Sequence, residues 1–264
     1  MNNMEKAIIS LSFDDGRGDN WDVFRDILEP MSIPATFNIT TGYVDGSCPE
    51  DRAPSAKAPL SVAQVCDLAK HPLVEIALHG DEHLNTEEDI AKGRAKIMQW
   101  LEVTDSAVFG FASPGSGLNV ATFLNSRTLL FREQISYLRT SLRINRYRWL
   151  RTLCRKAGRV IHIPFLYQIA YADTLMISCP DRVVYSIPVM KDATFMQVRA
   201  IIDLAIRRRS ALTLMFHSVL NDVSQEDNWS WDRKKFVCLC KYLEEKRQSG
   251  QLEIMTTKQL TDYL

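Results

Sequence analysis

Two pairs of side chains in this sequence have the types and spacing to do chemistry together. His79 and His83, in His79-Gly80-Asp81-Glu82-His83, are four residues apart and can turn both imidazoles to one point from a helical turn or tight loop. Asp14 and Asp15 end an apolar run that starts at Ala7, so a buried strand would deliver two carboxylates to its C-terminal end. Carboxylates are rarely buried unless paired, hydrogen-bonded or bound to metal, so this pair calls for positive charge from elsewhere. Two imidazoles and one carboxylate leave coordination positions open, as catalytic zinc and non-haem iron sites do. Histidines also cap helices and bond carbonyls, and that blander alternative stays open for the pair taken alone. His217 closes another apolar run, Leu212 to Phe216, which puts it at a strand mouth, whereas His71 and His162 lack this setting.

The elements that must position these groups alternate along the chain. Asp19 or Asn20 can cap a helix over Trp21 to Glu29, whose Trp21, Phe24, Ile27 and Leu28 share a face. A second strand is predicted from Pro34 to Ile39, then a loop rich in glycine, proline and charge from Gly42 to Pro59. Ser61 caps a helix through Lys70, and Val74 to Leu78 forms a third strand leading into His79. Thr86 and Asp89 resemble a capping box for a helix to about Val103, and Val108 to Phe111 is the next strand. A helix follows near Ala121 to Gln134 and a strand near Ile135 to Leu138. Later come strands at Val183 to Ile187, Ala211 to Phe216 and Leu252 to Met255, with helices at Phe195 to Arg208 and Arg233 to Arg247. This alternation implies an α/β fold with a parallel sheet, open or closed into a barrel, and chemistry at the C-terminal strand ends.

With 264 residues, 46% of them hydrophobic, the chain can bury one sizeable core. No stretch approaches the roughly 20 apolar residues of a membrane span, and the N-terminus leads straight into a strand, so the expectation is a cytoplasmic protein without a signal peptide. The six cysteines form no Cys-x-x-Cys pair and read as free thiols. A formal net charge of zero argues against whole-surface attraction to nucleic acid.

Taken together, the motifs resemble the NodB-like polysaccharide deacetylases, carbohydrate esterase family four. Ser12-Phe13-Asp14-Asp15-Gly16 is similar to that family's Thr-Phe-Asp-Asp-Gly, His79 to His83 to its His-Ser/Thr-x-x-His, and Leu214-Met215-Phe216-His217 to its Leu-x-x-His. Ile33 to Phe37 and the ending Glu253 to Leu260 add to the likeness. The resemblance implies a single-domain irregular (β/α) barrel over residues 1–264, with a divergent basic insert at about 120–183. It implies that Asp15, His79 and His83 bind a divalent metal, with zinc expected and cobalt, nickel or iron compatible. It also implies Asp14 as general base and His217 as general acid, while Gly115 could offer its N–H to an oxyanion. The expected activity is removal of an N-acetyl group from an amino sugar, on an intracellular polysaccharide or lipopolysaccharide precursor.

Three departures bear on that expectation. Ala112, in Phe111-Ala112-Ser113-Pro114-Gly115, stands where the family's third motif has the arginine that pairs with the base aspartate, and the Arg139-Thr140 pair is a candidate substitute. Gly80 replaces a Ser or Thr whose hydroxyl would brace the histidine loop, so backbone groups would have to do so. No counterpart of the fourth motif is found. Asp173 and Asp181 are candidate orienters of His217, and Trp229 and Trp231 candidate walls of a sugar groove, with half-buried loop tryptophans the alternative. These departures keep in play an impaired relative serving as a sugar-binding or assembly protein. Because related barrels share the chemistry while pocket shape selects the substrate, a hydrolase of a non-sugar amide is a third reading.

From Arg127 to Arg159 ten cations face one acid, Glu133, and between Arg143 and Arg159 the residues Ile144, Tyr147, Leu150, Leu153 and Cys154 recur at helical spacing. A basic amphipathic helix of this kind is most often a solvated face. Its functional alternatives are contact with an anionic membrane or with the phosphates of a lipid- or nucleotide-linked sugar, and a nucleic-acid partner is not expected.

Overall fold

Continuous apolar runs, rather than alternating ones, are what a parallel sheet covered on its outer face by helices requires, and they form the staves here. The structure is a computed structural model and describes residues 4–141, 148–223 and 227–264. Its strands are β1 (Ala7–Phe13), β2 (Ala35–Ile39), β3 (Val74–Leu78), β4 (Phe109–Ala112), β5 (Ile135–Ser141), β6 (Val183–Pro188), β7 (Ala211–Phe216), β8 (Ser218–Leu220), β9 (Ser230–Asp232) and β10 (Leu252–Ile254). Strands β1 to β7 are parallel neighbours in chain order, and pairing of β1 with β7 closes them into a barrel. Its irregularity has a simple origin. On its other edge β1 meets β2 only at Ser12 and Phe13, and β10 fills the space beside Ala7 to Ile9.

The helices are α1 (Asp19–Val23), α2 (Thr41–Val44), α3 (Val62–Ala69), α4 (Glu87–Leu101), α5 (Val120–Asn125), α6 (Arg148–Ile161), α7 (Pro164–Tyr171), α8 (Phe195–Arg208), α9 (Arg233–Gln248) and α10 (Thr257–Tyr263). None of the described helices is long and apolar enough to cross a membrane. The two-residue period of the strands decides which groups reach the barrel mouth. Ile9, Leu11 and Phe13 join the main core, where Phe13 packs against Phe236 of α9 and between Phe37 and Phe216, at ring-centroid distances of 5.2 and 5.5 Å. Ser10 and Ser12 take the other face, bonding Thr257 and Asn38. Asp14 falls in line with the serines.

Several expectations are corrected. The helix predicted from Ala121 to Gln134 breaks after Asn125 and resumes as a single turn at Leu130–Gln134, because Ser126 is extended and ends α5. Neither Asp19 nor Asn20 caps α1, whose N-cap is Gly18. Asp19 accepts the Val219 N–H and Asn20 donates to the His217 carbonyl, so both hold the chain after β7. Strands β8 and β9 and helices α2, α7 and α10 were not foreseen, and α2 occupies the start of the segment expected as a loop from Gly42 to Pro59. Of the basic region, Ile135–Ser141 is a barrel stave, and α6 and α7 form a helical pair beyond it. Arg143, Ile144, Arg146 and Tyr147 of the expected helix lie outside the described residues.

Candidate metal centre and active site

Asp15, His79 and His83 come together at the mouth of the barrel. Asp15 follows β1 with a φ of 77°, and this left-handed turn aims its carboxylate across the opening rather than down the strand. One oxygen, Oδ2, accepts from Arg17 Nε at 2.9 Å. The other, Oδ1, is buried without a hydrogen-bond partner and lies 3.5 Å from His79 Nε2 and 3.6 Å from His83 Nε2. His79 Nδ1 donates to the Ala112 carbonyl at 2.7 Å, which turns the Nε2 lone pair toward Asp15. Burial, reinforced by His79, pushes His83 down to about 4, so its imidazole is neutral at physiological pH and available as a ligand. An orphaned carboxylate oxygen facing two aimed imidazoles is a donor set that fits a divalent cation.

The histidine loop is braced by a side chain. The Asp89 carboxylate, in the first turn of α4, accepts the backbone N–H groups of Asp81 (3.1 Å), Glu82 (2.7 Å) and Leu84 (3.0 Å). Gly80, at φ 81°, leaves room for it, since a Cβ there would lie 2.3 Å from Asp89 Oδ2. The missing hydroxyl of the loop motif is thus replaced by a carboxylate that only glycine admits. Gly80→Ser is expected to weaken zinc binding at least about tenfold, as loss of support around ligands commonly does. Competition titration with a chromophoric chelator measures this, and unchanged affinity would mean that Asp89 is not the brace.

Asp14 is 3% exposed, and Arg139 meets both its oxygens, at 2.7 and 2.6 Å. Asn38 donates to Asp14 Oδ1 at 2.8 Å, and Ser186 accepts from the guanidinium at 2.9 Å. Burial opposes the Asp14 charge, but Arg139, with His79 and His217, holds this carboxyl below the usual range and hence ionised. Arg139 is the register partner of Ala112 on the adjacent strand. The guanidinium that the family motif carries on the fourth stave therefore comes from the fifth in this chain.

His217 stands across the opening, with Nε2 4.0 Å from Asp15 Oδ2. Burial pushes its imidazole below the ordinary value, against the pull of Asp15 and Asp14. Its Nδ1 is buried and has no partner among the described residues. Neither Asp173 nor Asp181 supplies one. Asp173 pairs with Arg151 at 2.7 Å, and both aspartates precede β6, at the opposite end of the barrel. Of the two tryptophans, Trp231 is fully buried and donates to the Ala193 carbonyl, so it walls no groove. Trp229 does: its ring lies 4.7 Å from that of His217, at 42°.

Two residues escaped sequence reasoning. Arg17 is 1% exposed and joins Asp15 to Asp227 (3.0 Å) and Ser218 (3.2 Å), so it balances the cluster's charge and ties down the loop that bears Trp229. An arginine two residues after the aspartate pair was the available signal. Asn38 carried none, being one of two polar positions, with Thr36, on the short strand β2. Around these groups opens a cavity of about 310 Å³, whose rim includes Gly115, Ser116, Ser141, Pro188 and Met215. Gly115, at φ 54°, has open space on its Cβ side.

An aspartate and two histidines thus stand at the C-terminal mouth of a parallel barrel, the end where such barrels carry their sites. The family model for polysaccharide deacetylase matches residues 1–126. Among solved structures, a putative polysaccharide deacetylase from Mycobacterium smegmatis is 13% identical, over 100% of this chain and 91% of that one, with a TM-score of 0.55. A family 4 acetyl xylan esterase from Clostridium thermocellum, in complex with a cobalt ion, is 16% identical over 97% and 91%, with a TM-score of 0.50. The chain spans 64% of the BpsB deacetylase domain from Bordetella bronchiseptica, at 17% identity over 51% of its own length and a TM-score of 0.40. No curated protein matches it. The chain is thus similar to polysaccharide deacetylases over residues 1–126, and its seven-stranded (β/α) barrel is the fold of these solved structures.

Proposed function

We propose that this chain is a metal-dependent hydrolase that removes the acetyl group from an N-acetylated amino sugar. The observation that carries the reading is the orphaned Asp15 oxygen facing His79 and His83, with an Arg139-held Asp14 on one side and His217 on the other. A divalent ion held by Asp15, His79 and His83, zinc in our reading and with cobalt, nickel or iron also suited to the donors, would polarise the acetyl carbonyl and lower the pKa of bound water. Asp14, kept ionised by Arg139, takes the proton of the attacking water as general base. His217 returns a proton to the leaving amine. Gly115, on the cavity rim, would be the residue to offer a backbone N–H to the developing oxyanion. Trp229 offers an aromatic surface to the apolar face of a pyranose ring. The cavity, about 310 Å³, suits one sugar ring with its acetamido group.

We read residues 1–264 as one catalytic unit in which 120–183 is the divergent part. All six cysteines are free, which suits a reducing compartment and supports a polysaccharide or lipopolysaccharide precursor inside the cell as substrate. Finding the native protein exported with a cleaved leader would overturn that placement. The Asp14–Arg139 pair removes the main reason for reading the chain as an impaired sugar-binding relative. The test is acetate release from N-acetylglucosamine oligomers and nucleotide-linked N-acetylhexosamines, with protein loaded with zinc or stripped by chelator. Turnover is expected in the loaded protein, with loss on stripping and recovery on reloading. Stoichiometric zinc without acetate release from any of these sugars would refute the reading.

A further inference from the structure

Helix α6 has two apolar sides, and only one of them is used. Leu150 and Cys154 pack into the core, and the Gly158 carbonyl accepts from Gln197 of α8 at 2.7 Å, so this side of the helix docks on the barrel's helical layer. The opposite side carries Trp149, Leu153 and Val160, at steps of four and seven residues, with relative exposures of 70, 56 and 78%. Ile161, Ile163 and Phe165 extend this patch around the turn into α7, at 53, 46 and 64%. Isolated exposed hydrophobic side chains are ordinary, but six large ones along one helix and its turn mark a contact surface.

The charge around the patch identifies what it meets. Residues 148–171 contain five cations (Arg148, Arg151, Arg155, Lys156 and Arg159) and no carboxylate, in a chain whose net charge is zero. Lys156 shares the outward side with the apolar residues and is exposed. Arg151 and Arg159 are paired with Asp173 and Asp192, which leaves Lys156 and Arg155, among the described residues, as the cations beside the patch; a second copy of the chain would bring these like charges face to face. An anionic leaflet satisfies both halves of the surface: acyl chains for Trp149, Leu153, Val160 and Phe165, and phosphates for Lys156 and Arg155.

We propose that the α6–α7 hairpin docks this protein peripherally on an anionic phospholipid bilayer. At the C-terminal end of α6, Arg159 lies 3.6 Å from Asp192, on the loop that leaves Pro188 in the cavity rim. Docking through the hairpin would therefore hold the cavity beside the headgroup layer. The inference does not depend on the deacetylase reading, because lipid binding is read without turnover.

The test is co-sedimentation of the full chain with vesicles of phosphatidylcholine, with and without 30% phosphatidylglycerol (about 30 mol%, enough for a negative surface potential). Expected is binding to the anionic vesicles only, weakened by salt. Val160→Ser combined with Phe165→Ser, both at exposed positions, is expected to reduce the partition coefficient at least about tenfold. Lys156→Gln should reduce it about fivefold, the effect of one cation near such a surface. Circular dichroism confirms that the variants fold. No binding to anionic vesicles, or binding indifferent to the Val160 and Phe165 changes, overturns the proposal. So does light scattering that shows a dimer dissolved by those two changes, because the patch would then be a protein interface.

Discussion

Asp14→Asn is expected to lower kcat about a thousandfold while the protein still takes up one zinc ion per chain, because removal of a positioned general base typically costs between about a hundredfold and ten-thousandfold. The carboxylate that faces the two imidazoles is Asp15, and Asp14 is not part of that cluster. The variant thus separates the proton-transfer role from metal binding. Its amide would also set an NH2 group or a neutral oxygen where Arg139 now meets carboxylate oxygens at 2.6 and 2.7 Å, so a stability loss of about 1–3 kcal/mol accompanies the kinetic effect. Acetate release and elemental analysis on the same preparation decide the matter. A variant retaining more than about a tenth of wild-type kcat would be incompatible with the base assignment, given the usual size of such effects. Loss of the ion would instead make Asp14 a ligand.

Arg139→Met is expected to destabilise the fold by about 3–5 kcal/mol, since it strands a buried carboxylate without its counterion. Asp14 and Arg139 are 3 and 1% exposed, so solvent can replace little of the lost pairing. Asp14 would respond by taking up a proton, which disables it as a base and gives the variant a kcat loss comparable to that of Asp14→Asn. The two substitutions should therefore be strongly non-additive. In the double variant no charge is stranded, and stability should recover by about 2 kcal/mol or more relative to Arg139→Met, while activity stays low. Urea denaturation of the four proteins measures the cycle. Additive losses would show that Arg139 supports the barrel through Ser186 alone and does not act on Asp14.

The pattern of legible and illegible features follows from how far apart the interacting groups lie in the chain. Strand ends were readable because an apolar run that stops at Asp14, His79 or His217 is a local signal. The brace of the histidine loop was not, because it joins Gly80 to Asp89 through an absent Cβ, and a glycine in a motif normally read as Ser or Thr looks like a loss. The proposed helix caps at Asp19 and Asn20 failed for a similar reason. Both side chains have partners some 200 residues away, and those longer-range bonds to the chain after β7 took precedence over local capping. Trp231 and Trp229, two residues apart, separated into core and rim because Trp231 lies within β9 and is buried, whereas Trp229 precedes the strand in a turn where Asp227 accepts its N–H.

By itself the sequence determined the α/β class, the order of the seven barrel strands and the three segments that carry Asp14, Asp15, His79, His83 and His217, since each rests on patterns within about ten residues. Only the tertiary structure decided that β1 closes on β7, that Arg139 takes the place vacated at Ala112, that Arg17 spans Asp15 and Asp227, and that the orienting aspartates sought for His217 lie at the wrong end of the barrel. Those facts depend on which strands become neighbours and on which face each residue lands. Both are fixed by barrel closure, which brings together residues that nothing in their local sequence connects.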